Sequence, residues 1–421
     1  MITRHVVVMV TTSYPRFAGD TIGTFMEPIA RGIAARGHQV HVVLPWHPRL
    51  TRLGVEDGIH FHPVRYAPHP SLNVFGYAES LRADVHLRLA ACCAAPLALQ
   101  ALVRATRRVA REVGATLLHG HWLIPGGAVV AAAGTALPVV TSLHGSDVYV
   151  AERHAIARLG ARFALRRVDW ITACSDDLRD RAIALGAAPD RIETIPYGVD
   201  VERFRPDPGA RAACRRALGI EPDAVMLFTA GRFVRKKGFE YLIDAVARLA
   251  PRWPGVRLVI AGGGDLDDEL RSRVRALGIG GHVQFAGVLT QPAVAWHLAA
   301  ADIAVMPSVR DEAGNVDGLP NTVMEALASG TPLVATTAGG IPSVVTHDLN
   351  GLLVPQKDVP ALEAAIERLI ASPAARASLG AAARADAVAT RTWDRVAERM
   401  EQVYDRAACR REMRRGTVRD S

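Results

Sequence analysis

The sequence predicts an α/β protein made of two doubly wound parallel sheets in succession. Three observations carry this. Short β-branched runs alternate with helix-period segments through the first half of the chain. At "IPYGVDVERFRPD" (195–207) proline and glycine interrupt that pattern, and it then restarts. Finally, 421 residues exceed one compact core of ordinary size, so two domains are expected.

Taken in order, "HVVVMV" reads as the first strand and "FMEPIARGIAARGH" as a helix stopped by Gly37. The runs "QVHVVLP", "TLLHGHW", "LPVVTSLHG", "VDWITACS" and "RIETIPYG" follow as strands, with helices between most of them. After the joint, "AVMLFTAGRF", "VRLVIAGGG", "VQFAG", "DIAVMPS", "TPLVATT" and "GLLVP" read as strands. Helices "EYLIDAVARLA", "DDELRSRVRALG", "PAVAWHLAAA" and one within 316–332 lie among them. A last helical segment, Trp393 to Ala407, is expected to pack back on the first domain, with a flexible tail beyond it. The expected boundaries are 1–197, 198–387 and 388–421. In such sheets ligands bind beyond the carboxyl ends of the strands, so two sheets meeting there would enclose a cleft.

Composition narrows the class. Half the residues are apolar and 22% are charged, as in a folded globular chain. The longest uncharged run, Val113 to Ser146, holds three histidines, two prolines and six glycines; it parses as strand, loop, helix and strand rather than a membrane span. "HVVVMV" is too short for a secretory signal core. Five scattered cysteines show no metal spacing and fit a reducing cytoplasm. The net charge of +8 suits an anionic partner, but no nucleic-acid-binding signature is present. Only three of the 50 basic residues are lysine, and Lys236 and Lys237 are adjacent.

Each chemically promising stretch falls just after a strand. In "AGRFVRKKGF", Arg232 and Lys237 sit between a strand end and a helix start. Five residues apart on one loop, a guanidinium fork and a mobile ammonium can reach one diphosphate. The alternative is a solvated basic loop; the Walker spacing is missing, so a P-loop is excluded. "VDGLPNTVMEALASGTP" places Asp317 before a short helix and Glu325 alone on it. No charged residue follows Glu325 until Asp348. A buried carboxylate needs donors, and ribose hydroxyls supply them. The alternative has Asp317 capping the helix and Glu325 paired with an arginine. In "ATTAGGIPSVV", Gly339 and Gly340 open a strand–loop–helix passage where backbone amides face a ligand. Gly23 in "TIGTFMEP" is placed similarly. "TSLHGSDVY" sets His144 and Asp147 at a strand end. His119 and His121 share a strand face, but no third metal ligand has useful spacing. Asp265-x-Asp267 reads as helix-start chemistry rather than a metal motif.

Together these stretches resemble the retaining glycosyltransferases of family 4, over nearly the whole chain. The matching stretches are "TSYPRFAGDTIGTFMEPIARGIAARGHQVHVV", "IPYGVDVERFRP", "GRFVRKKG", the E-x7-E motif within 316–332 and "GTPLVATTAGGIP". The resemblance implies the GT-B fold: an acceptor-side Rossmann-like domain and a nucleotide-sugar-binding one facing a cleft. By it, Arg232 and Lys237 hold the diphosphate and Glu325 the ribose. Asp317 stands where the family has Glu against the donor sugar, and His144 approaches that sugar. Gly23, Gly339 and Gly340 lie beside the donor. Two departures bear on donor identity: Asp317 is one methylene shorter than Glu, and Ser343 stands where Glu is frequent.

The implied reaction is hexosyl transfer with retention, from a UDP- or GDP-linked donor, without cofactor or metal. The acceptor is a glycan, a lipid-linked sugar or a small molecule, as in cell-surface polysaccharide or glycolipid synthesis. A sugar-nucleotide isomerase or epimerase and a non-catalytic sugar-nucleotide binder are the alternatives. "LALQALVRATRRVAREV" (97–113) reads either as a surface helix or as one resting on an anionic membrane, with Arg104, Arg107, Arg108 and Arg111 outward. A cytoplasmic protein, peripheral on the inner face of the membrane, is the expected setting.

Overall fold

The apolar runs form two sheets, each within its own compact unit. The computed structural model describes residues 4–20, 22–69, 72–77, 81–82, 86–87 and 89–419. One unit comprises Met1–Pro196 with Trp393–Ser421, and the other Tyr197–Thr392.

In the first unit the strands are β1 (Val6–Val10), β2 (Gln39–Pro45), β3 (Gly54–Glu56), β4 (Ile59–Val64), β7 (Leu117–His121), β8 (Val139–Leu143), β9 (Trp170–Ala173) and β10 (Ile192–Thr194). A separate two-stranded pair, β5 (Leu81–Arg82) and β6 (His86–Leu87), stands between them in sequence. The sheet order is β10-β9-β8-β7-β1-β2-β4-β3. All neighbours are parallel except β3 and β4. Strands β7 and β8 are buried along their whole length. Helices cover both faces of such a sheet, which is why these strands read as unbroken apolar runs.

The sequence reading missed β3 and β4. "IHFHPV" does alternate, with Ile59 and Phe61 buried and His60 and His62 less so. Two histidines and a proline hid the period-two signal.

The helix Trp393–Arg419 belongs to this first unit and runs well past Ala407. It crosses the helix Met26–Ala35 closely; a Cβ on Gly32 would stand 2.9 Å from the Ala397 Cβ. Val396, Met400, Val403 and Tyr404 complete the core around Met26, Ile29 and Ile33. Glu401 adds a polar lock, accepting from Arg36 Nε at 3.0 Å and meeting His38 Nε2 at 3.0 Å. Residue 388, where the last segment was expected to begin, lies inside the helix Pro373–Thr390; the break between units comes after Thr392.

The second unit has β11 (Val225–Ala230), β12 (Val256–Ala261), β13 (Val283–Gly287), β14 (Ile303–Met306), β15 (Leu333–Thr336) and β16 (Leu352–Val354). They pair in parallel in the order β13-β12-β11-β14-β15-β16. The direction of winding reverses between β11 and β14. In open α/β sheets such a switch point, beyond the carboxyl ends of the strands, is where ligands bind. The helix Phe239–Leu249 buries Leu242, Ile243, Val246 and Leu249, a three-four spacing that faces the sheet.

Among the described residues no helix is long and apolar enough to cross a membrane.

Candidate functional site

The switch point of the second unit collects most of the predicted residues. After β11 the chain passes Gly231 and exposed Arg232, then makes a single 3-10 turn, Arg235–Lys237. Gly238 ends it with φ +64°, and a Cβ there would strike the Pro307 carbonyl oxygen at 2.1 Å. Only glycine lets the β11 loop come this close to the residue that follows β14. The Lys237 side chain lies along Gly231: a Cβ added there would meet its Cε at 3.1 Å.

From the other side of the switch, the loop after β14 delivers Asp317. Its Oδ1 lies 3.0 Å from Lys236 Nζ and its Oδ2 2.7 Å from Lys237 Nζ. All three side chains are mostly buried. Burial alone would raise the Asp317 pKa, but the two ammonium groups outweigh it and hold the carboxyl well below its usual range. Asp317 is therefore no helix cap; the helix Asn321–Ala328 starts at Pro320 without any side-chain cap. The role of Lys236 was not foreseen. Its signal was in the sequence, as one of two adjacent lysines in a chain otherwise written in arginine.

Glu325 sits in the second turn of that helix, 8% exposed. Its carboxyl makes no hydrogen bond or ion pair with any described residue, so the arginine partner considered above is not there. Burial pushes its pKa up to about 7, against the opposing pull of Lys237 and Arg203. A buried carboxyl without a described partner is well placed to take hydroxyl donors from a ligand.

Gly339, in the loop after β15, packs on the same Asp317 loop. Its φ is +51°, and a Cβ would lie 2.1 Å from the backbone oxygen of Asp317. The N–H groups of Gly339 and Gly340 make no hydrogen bond to a described residue. The expected helix after them is only a 3-10 turn, Ile341–Ser343. Its amides are used locally: Ile341 donates to Ala338, and Val344 and Val345 to Ile341. Among the amides of this passage, those of Gly339 and Gly340 are left without a described backbone acceptor.

In the first unit, His144 and Asp147 do not act alike. Asp147 is a clamp. Its Oδ2 accepts from Leu123 N at 2.6 Å and its Oδ1 from Gly145 N at 2.9 Å, joining the loops after β7 and β8. His144 is partly exposed and packs against Phe25 and Trp122. Its Nε2 lies 3.1 Å from His121 Nδ1. His119 is committed elsewhere, to Tyr404 Oη at 2.9 Å and Ser142 Oγ at 2.8 Å. Gly23 has φ +64° and lies over the backbone of Ser13, ahead of the helix Met26–Ala35. Asp267 pairs with Arg271 at 2.7 Å, as a helix-start acid does. Among the described residues, no three His, Cys, Asp or Glu side chains are arranged to hold a metal ion.

Known families match both halves. The family described as "Glycosyltransferase Family 4" matches residues 22–203, and "Glycosyl transferases group 1" matches residues 211–386. A GDP-mannose-dependent alpha-(1-6)-phosphatidylinositol monomannoside mannosyltransferase of Mycobacterium tuberculosis is 30% identical over 415 residues, covering 94% of this chain and 96% of its own. The chain belongs to the group 1 glycosyltransferases. This glycosyltransferase is also 35% identical over 259 residues to a D-inositol 3-phosphate glycosyltransferase of Saccharomonospora viridis, covering 59% of this chain and 58% of that one. Its fold is that of HepE from Anabaena, solved in complex with UDP, with a TM-score of 0.76 at 20% identity over 95% of this chain and 99% of the other. The protein is thus a GT-B enzyme that uses a nucleotide-sugar donor.

Proposed function

We propose that this glycosyltransferase moves a hexose, with retention of configuration, from a GDP- or UDP-linked donor to a lipid-linked acceptor. The observation that carries the donor half is the pair Lys237 and Glu325 at the switch point of the second unit: a cation where a diphosphate is needed, beside a buried carboxyl with no described protein partner. In this reading Lys237, Arg232 and the amides of Gly339 and Gly340 hold the diphosphate, and Glu325 takes the ribose hydroxyls. Asp317, anchored by Lys236, faces the sugar. As the C1–O bond to the diphosphate breaks, negative charge grows on the leaving oxygen, and the cations stabilise it without reorganising. The acceptor oxygen forms the new bond to C1 and its proton passes to the departing diphosphate. His144 against the donor sugar and Gly23 beside the phosphates keep the roles that the motif resemblance implies.

The relative from Mycobacterium tuberculosis, named for GDP-mannose and a phosphatidylinositol mannoside, supports GDP-mannose as the first donor to test and a lipid as the acceptor. An anionic membrane surface is part of the same proposal. The helix Leu89–Glu112 exposes Arg104, Arg107, Arg108 and Arg111 and buries Ala98, Leu102, Val109 and Ala110, leaving Leu97 as its one well-exposed large hydrophobic side chain among the described residues. The helix Ala155–Arg167 fits better: Ile156 is 87% exposed and Leu159 67%, among exposed Arg153, Arg162, Arg166 and Arg167.

The deciding experiment is calorimetric titration of the protein with GDP, UDP and ADP, without divalent metal, alongside Glu325→Ala. Tight binding of one nucleotide that the variant loses supports the reading. Binding of none, or binding unchanged in Glu325→Ala, refutes it.

A further inference from the structure

Asp317 holds two lysines, and they are fastened differently. Lys236 Nζ lies 3.0 Å from Asp317 Oδ1, and Lys237 Nζ lies 2.7 Å from Oδ2. These two ammonium groups are the charged groups that act on Asp317 among the described residues. The loop after β15 meets the Asp317 backbone with Gly339, which carries no charge.

The main chain tells the two lysines apart. The Lys236 carbonyl accepts from Val309 N at 2.9 Å, which ties this residue to the loop after β14, the loop that also carries Asp317. Lys237 N donates to the Val234 carbonyl at 3.0 Å, within its own loop. Its side chain lies along Gly231 at the end of β11, and its charge reaches Glu325, as does that of Arg203. Lys237 therefore belongs with the donor residues, and Lys236 with Asp317.

A carboxylate left buried without a cation takes up a proton instead. Glu325 shows the effect on the helix that follows: with no described ion pair, burial pushes its pKa up to about 7. A diphosphate that drew Lys237 away would expose Asp317 to the same force, and its own negative charge would add to it. A second cation is needed if Asp317 is to stay ionised while the donor is bound.

We propose that Lys236 is a positioning residue whose ammonium stays on Asp317 when the donor diphosphate takes Lys237. One lysine then serves the leaving group, and the other keeps a carboxylate rather than a carboxylic acid beside the sugar. This handover requires Lys236 only to remain within reach of Asp317, whatever else it touches. It rests on the proposed donor site, in which Lys237 meets the diphosphate; the power of Lys236 alone to keep Asp317 ionised does not.

Carbon-13 spectra of the full chain, labelled at the aspartate carboxyl and assigned with Asp317→Asn, read this ionisation directly. Native Asp317 is expected to stay ionised between about pH 5 and 8, free and with saturating GDP or UDP. Lys237→Met mimics withdrawal of that lysine without any ligand, and Asp317 should remain ionised in it. In Lys236→Met, Asp317 should be ionised in the free protein but titrate near neutrality once nucleotide binds, and Lys236→Arg should restore the native behaviour. A merely structural lysine would not make the Asp317 titration depend on nucleotide. Protonated Asp317 at neutral pH in Lys237→Met or in the native nucleotide complex overturns the handover and leaves the donor site standing. So does an Asp317 that stays ionised in nucleotide-bound Lys236→Met. The native and Lys237→Met spectra decide if Lys236→Met does not fold. Binding of neither GDP nor UDP to the native protein refutes the donor site, and the handover with it.

Discussion

Asp317 Oδ2 stands 2.7 Å from Lys237 Nζ, joining the loops that follow β11 and β14. A diphosphate bound at this switch point, as proposed, must share or take Lys237. Replacing Lys237 by Ala should weaken nucleoside diphosphate binding by about 1.5–3 kcal/mol, the range for hydrogen bonds to charged groups. That is roughly a ten- to 150-fold rise in Kd by calorimetry. An unchanged Kd would take Lys237 out of the site.

Asp317→Asn separates the nucleotide from the sugar. The change removes the charge that occupies both lysines, so nucleoside diphosphate should bind at least as tightly as to the native enzyme. Transfer should nonetheless fall by about tenfold or more if, as proposed, this carboxylate faces the sugar. Parallel loss of nucleotide affinity would show instead that Asp317 serves only to hold the lysines in place.

Glu325 titrates near neutrality, and the sign of its pH effect follows. A ligand that donates hydroxyls favours the carboxylate, so binding pulls a pKa of about 7 downward and releases a proton. Affinity should rise with pH up to about 7 and level off above it. Calorimetry at pH 6.5 in buffers of different ionisation enthalpy would show the released proton as a buffer-dependent heat. Glu325→Gln should abolish that dependence; its persistence would place the titrating group elsewhere.

At Gly339 the constraint is steric. A methyl group there would meet the Asp317 carbonyl at 2.1 Å and sit on a backbone with φ +51°. Gly339→Ala should cost about 1–3 kcal/mol, as strained positions do. For a unit of this size that lowers Tm by roughly 2–4 °C per kcal/mol in a thermal scan. A variant as stable as the native protein would mean that the loop after β15 shifts freely.

Vesicle co-sedimentation tests the membrane surface. Native protein should bind vesicles rich in anionic lipid, less so at high salt. Ile156→Glu with Leu159→Glu should abolish binding while leaving nucleotide affinity intact. No binding by the native chain would end the membrane reading.

Much of this was legible because buried parallel strands need β-branched runs and the switch-point residues follow strands in sequence. Glu325 stood out as a lone charge in an apolar stretch, and it is indeed buried without a described protein partner. What was hidden depended on tertiary contact. No local pattern says that Lys236 shares Asp317, 81 positions away, with Lys237. The last helix seemed to fade at Ala407 because its final turns are polar. They are held by reaching across to the first unit's loops: Arg411 donates to the Thr135 carbonyl at 3.0 Å, and Arg414 to buried Asp169 at 3.2 Å. The helix expected after Gly340 stops after one turn because the next amide leaves the ladder, Thr346 N donating to Asn350 Oδ1 at 2.7 Å.

The return of Trp393–Arg419 to the first unit also sets an order of events during synthesis. A ribosome making this chain finishes the second unit before the helix that supplies Met400, Val403 and Tyr404 to the first unit's core. Until then Met26 and Ile33 lack their cover, and His119 lacks the Tyr404 hydroxyl. The unit translated first is therefore the one completed last, and for that interval its half-built core is a natural client for chaperones.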